Sequence, residues 1–190
     1  MRSLALALVA IVVAGCAVTA QSRGERALVQ GDFVAARAEF EAALAEHPDR
    51  VGALLGLAVA HYKMGALAEA AASFDRVLAQ APQSGTALLY GGLAALQQKR
   101  DDVAADRLTR FRAIEPDPRF GAQVDRALAL VKGPPVTDEV RTFVATSIED
   151  AARATMEVRA AQSEAARAWT LSTAYPVRCY PTRRGGLVCL

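Results

Sequence analysis

The sequence predicts an all-α fold: about three stacked helical hairpins with a capping helix, a long C-terminal helix and a small C-terminal β-hairpin. Three observations carry this. The 190 residues include 42 Ala and only 6% aromatics, a composition that favours close-packed helices and disfavours β-sandwiches. Pro48, Pro82 and Pro116 recur at an interval of 34 residues, the scale of a two-helix repeat. From Thr137 onward, apolar residues recur at alternating steps of four and three, the spacing of one helix face.

Composition also bounds function. Basic and acidic residues number 22 and 20, for a net charge of +2, which excludes a nucleic-acid binder built on a concentrated basic stripe. There is no Asn, hence no N-glycosylation acceptor, and two His with three Cys leave little material for a metal site. No metal and no cofactor is expected. None of the G-x-S-x-G, G-x-G-x-x-G or P-loop patterns occurs, and no nucleophile–base pair can be named, so no catalytic residue is assigned. His61 reads as a packed helical residue and His47, beside Pro48, as a solvated turn residue.

Residues 1–15 are not expected to belong to the fold. Met1-Arg2 is a short positive start, and Leu4 to Ala14 is an apolar run. A spanning helix needs about 20 such residues; this one has the length of a secretory h-region. Val13-Ala14-Gly15-Cys16 follows. This resembles the lipobox of bacterial lipoproteins, which implies cleavage before Cys16 and acylation of its thiol and new amino terminus. Two or more acyl chains anchor stably, at about 0.8 kcal/mol per buried CH₂. In that family Asp after the Cys retains the protein in the inner membrane; Ala17 here implies the outer membrane, facing the periplasm, for a Gram-negative source. Residues 16–22 are the lipidated terminus and linker.

Windows 17–50, 51–84 and 85–118 align column by column. The eighth position reads Gly24, Ala58, Gly92 and the twentieth Ala36, Ala70, Ala104. The twenty-fourth reads Phe40, Phe74, Leu108 and the fifteenth Gly31, Gly65, Lys99. Small residues let antiparallel helices approach, bulky ones fill the gap between hairpins, and Gly ends a helix in the left-handed conformation. Pro cannot continue the second helix. The pattern resembles the tetratricopeptide repeat, which implies a right-handed solenoid with a concave groove. The first helix is expected to start late, near Ser22 or Gly24. The third repeat departs at Lys99 and at Asp101, where an aromatic is usual, so its inter-helix turn is expected to be less defined. Phe120, Val124, Leu128 and Val131 then mark one capping helix, which Gly133-Pro134-Pro135 stops. The solenoid is thus set at 23–132 and a linker at 133–136.

Thr137 is a plausible N-cap, with Asp138 and Glu139 in the first turn, where the helix dipole favours acids. The helix is set at 137–175, with a stripe of Val144, Ile148, Ala151, Thr155, Val158, Gln162, Ala165 and Trp169. It either lies on the solenoid or forms a coiled-coil seam. In the hairpin of 176–190, a loop of Arg183-Arg184-Gly185 puts Cys179 opposite Cys189. In an oxidising compartment these form a disulfide worth roughly 3 kcal/mol; a redox or metal role is the rival.

The resemblance also assigns a groove. The fifth, ninth and twelfth positions of each first helix line the concave surface, which places Leu55, Val59, Tyr62, Leu89, Leu93 and Leu96 there. Such apolar residues need a cover: either a protein partner or the chain's own 137–174 helix. The carboxylate-clamp variant of the family uses Asn, which this chain lacks. The expected function is a non-enzymatic, lipid-anchored scaffold for protein partners in envelope assembly, of the pilus, secretin or secretion-system type. The alternative is an adaptor for peptidoglycan enzymes or outer-membrane protein assembly; an enzyme is the remaining rival.

Overall fold

The computed structural model describes residues 19–174, 179–181 and 187–189. The segment expected to be a signal peptide, Cys16 and the 183–185 loop lie outside the described residues. Eight helices follow in order: α1 Ala20–Gln30, α2 Phe33–Glu46, α3 Val51–Lys63, α4 Leu67–Gln80, α5 Gly85–Gln97, α6 Asp101–Ile114, α7 Pro118–Val131 and α8 Asp138–Ala174. Strands β1 Cys179–Pro181 and β2 Leu187–Cys189 pair antiparallel, in a register that sets Cys179 opposite Cys189. Two compact units divide between Ala145 and Thr146.

In the first unit, α1–α2, α3–α4 and α5–α6 are hairpins. The second helix of each of the first two hairpins packs on the first helix of the next, and α1, α3 and α5 neighbour in turn. Helix α7 packs on α6 and caps the stack. The repeat columns explain the packing. Phe40, Phe74 and Leu108 are fully buried, each worth about 2–3 kcal/mol of burial. The small residues opposite them are matched to these side chains. A Cβ on Gly24 would lie 2.9 Å from the Phe40 ring, and one on Gly92 would lie 2.9 Å from Leu108 Cγ. The proline carbonyls are used as well. Arg76 and Arg110 donate to the carbonyls of Pro48 and Pro82, at 2.9 and 2.8 Å, one repeat apart. Buried Arg107 joins two repeats more deeply, donating to the Gly91 carbonyl at 3.2 Å and to Asp75.

Two details differ from the sequence reading. Helix α1 starts earlier, at Ala20, because Thr19 caps it: its Oγ1 accepts from the Ser22 amide at 3.2 Å. The third inter-helix turn is as defined as the others. Lys99 takes φ 61°, where Gly31 and Gly65 take 77°, and the same pair of backbone bonds closes all three turns. In the third, Lys99 N donates to Leu96 O at 3.1 Å and Arg100 N to Ala95 O at 2.9 Å. A side chain in that region costs roughly 1–2 kcal/mol, so other contacts must offset it.

Helix α8 starts as its residues dictate, with the Val140 amide donating to Thr137 Oγ1 at 3.4 Å. Along its expected stripe, Val144 and Ile148 are buried, Ala151 and Thr155 half-buried, and Val158, Gln162 and Ala165 exposed. Among the described residues no helix is long and apolar enough to cross a membrane.

Candidate functional site

The six residues assigned to the groove lie on first helices α3 and α5, which are neighbours. Leu55 and Val59 are half-buried. Tyr62, Leu89, Leu93 and Leu96 are buried, with Leu93 at 0% exposure. Of the six, only Leu55 and Val59 keep partial exposure, while Tyr62 and the third-repeat residues are covered. Helix α5 is buried continuously from Ala87 to Leu96, whereas the second repeat keeps part of its apolar face accessible.

Tyr62 shows how this surface is built. Its ring meets Tyr90 edge-on at 5.2 Å between centroids. Its hydroxyl accepts a hydrogen bond from Gln97 Nε2 at 3.1 Å. Burial, and less so the neighbouring Tyr90 hydroxyl, push its pKa up to about 12 against the opposing Gln97 bond. Tyr62 is thus a neutral phenol that orients its neighbours. Lys63 stands 5.8 Å above the Tyr90 ring centroid, a cation–π distance.

Two charged residues that sequence reasoning did not assign complete the site. Arg141 in α8 is buried; Nη1 and Nη2 both reach the Asp101 carboxylate, the Nη2–Oδ2 bond measuring 2.8 Å. Nη1 also donates to the Leu96 carbonyl at 3.2 Å. Arg141 hydrogen-bonded to Asp101 holds that carboxyl below its ordinary value of 3.8, against the opposing effect of burial. A depressed carboxylate contributes stability above its unfolded pKa and loses it as pH falls through the folded one. The pair therefore stays charged throughout the neutral range. A signal for it existed: Arg141 lies three residues before Val144 and so extends the apolar stripe with a charge.

His61 is half-buried and its Nδ1 has no hydrogen-bond partner among the described residues. His47 caps the end of α2 and is exposed. Among the described residues no group of three or more His, Cys, Asp or Glu side chains is placed to hold a metal ion.

The tetratricopeptide-repeat family model matches residues 22–85 and 67–118, just over half of the chain. The chain belongs to the tetratricopeptide-repeat (TPR) family. Among solved structures, it is similar to a mutant O-GlcNAc transferase from Thermobaculum terrenum, with a TM-score of 0.53 and 19% identity. The match covers 68% of this chain and 25% of that one, so the likeness is one of fold and the chain spans a quarter of the transferase. No curated protein matches the sequence. TPR stacks present extended surfaces to protein partners, and of the six groove residues Leu55 and Val59 keep partial exposure.

Proposed function

We propose that this TPR protein is a non-enzymatic scaffold, anchored by lipid at Cys16 to the periplasmic side of the outer membrane. There it binds a protein partner in envelope assembly of the pilus, secretin or secretion-system kind. The observation that carries the binding role is the apolar first-helix face, at which Leu55 and Val59 stay partly accessible. The Val13-Ala14-Gly15-Cys16 run and Ala17 support the anchor and its destination. An oxidising compartment also suits a Cys179–Cys189 bond, for which the strand register sets the two residues opposite each other. A peptidoglycan-enzyme adaptor is the second reading; neighbouring cell-wall genes, in place of secretin and pilin genes, favour it.

The anchor is tested by Cys16→Ser. The variant is expected to leave the membrane fraction and to keep its signal peptide or a free amino terminus. An intact mass of the wild-type protein without acyl chains would remove the anchor from this reading. The protein-binding role would stand apart from that result.

A further inference from the structure

The third repeat differs from the first two at two positions of its inter-helix turn, and both are used by the start of α8. Where Gly31 and Gly65 stand in the earlier turns, Lys99 stands in the third; its Nζ pairs with Asp138 Oδ1 at 3.0 Å. Where Phe33 and Leu67 begin α2 and α4, Asp101 begins α6 and takes the fork of Arg141. Arg141 also reaches the Leu96 carbonyl, so it spans the last turn of α5 and the first of α6. One turn further along α8, Val144 and Ala145 are buried. The departures from the repeat pattern are therefore a receptacle for residues 138–145.

The receptacle holds without being saturated. Arg141 is only 6% exposed, yet its Nε has no hydrogen-bond partner among the described residues. Of a guanidinium's five N–H donors, one is thus buried unmet. The Asp101 side chain is 39% exposed, so water can compete for it. Residues 132–137 join α7 to α8, so the start of α8 can leave the turn without breaking the solenoid.

We propose that residues 138–145 are an internal ligand of the third repeat, latched by the Arg141–Asp101 pair. Opening the latch exposes Val144 and Ala145, which α8 buries there, and frees the Leu96 carbonyl and the Asp101 carboxylate at the α5–α6 turn. This rests on the protein-binding reading for its use, though not for its existence. A partner segment that takes this same turn competes with latch closure, and the free energy of opening is then taken from its affinity.

Hydrogen exchange on the full chain, purified in detergent, tests this without a partner. Arg141→Gln should speed exchange over 138–145 at least tenfold and leave 20–80 unchanged. Binding of an apolar fluorescent dye should rise several-fold. Asp101→Asn, which keeps the side-chain shape, should give the same pattern. Unchanged exchange over 138–145, or unchanged dye binding, would overturn the latch. Acceleration spreading equally over 20–80 in both variants would also overturn it, because the pair would then be part of the folding core. Failure here leaves the scaffold reading intact, and failure to find a partner leaves the latch intact.

Discussion

Gly56→Ala is expected to destabilise the repeat unit by about 2–3 kcal/mol, although helix propensity alone would favour Ala by about 1 kcal/mol. A Cβ at this position would lie 2.2 Å from Phe40 Cζ and 2.5 Å from both Cε atoms. Phe40 is fully buried and cannot swing aside, because the Cε1–Cζ end of its ring also fills the space in front of Gly24. The ring is held between α1 and α3 by two residues without side chains, so adding one moves helices apart. Thermal melts should show a fall in Tm of roughly 5–10 °C for a unit of this size. Gly85→Ala is the control: its Cβ would meet only Ile114 and Phe111 atoms, at 3.7 and 3.8 Å, and the melt should move little. Equal Tm for wild type and Gly56→Ala would contradict this account of the packing.

Leu93→Glu should be more damaging. Leu93 is 0% exposed between Leu89 and Leu96, themselves at 3% and 1%. A carboxylate placed there has no designed partner, and burying it costs several kcal/mol. The stack should lose its cooperative transition or melt more than about 10 °C lower. Burial raises the pKa of such a Glu above its unfolded value near 4.3. Its neutral form is the better tolerated, so stability is greatest below that value and falls as pH rises through the folded pKa. The deficit should therefore be smaller at pH 4 than at pH 7.5. Leu55→Glu, on a half-buried residue, should cost much less. Equal melting temperatures for Leu93→Glu and wild type would mean that the α5 face is open in solution.

The repeat columns were legible in sequence because they are sterically determined. Phe40 needs Gly24, Leu108 needs Gly92, and the left-handed turns need Gly31 and Gly65. These constraints repeat every 34 residues, so three imperfect copies reinforce one another. The long-range polar contacts were not legible. Asp101 and Arg141 are 40 residues apart, and no periodicity links them; the place of Arg141 on the α8 stripe signals burial but names no partner, and Asp101 alone reads as a surface charge. Lys99 reads as a weakened turn because Gly is the residue that suits a left-handed position, and its ion pair with Asp138 lies beyond the repeats. The apolar groove was legible as a pattern on α3 and α5. Its division into a half-buried second repeat and a buried third repeat depends on tertiary covering, which the spacing of leucines does not encode.

The most direct measurement of the binding role is site-specific photo-cross-linking in the native envelope. The probe is placed at Val59 on the first-helix face and, as reference, at Glu69, an exposed residue of α4. The expected result is one discrete protein adduct at position 59, absent at 69. No adduct at 59, or the same adducts from both positions, would contradict a protein-binding surface on the first helices of the repeats.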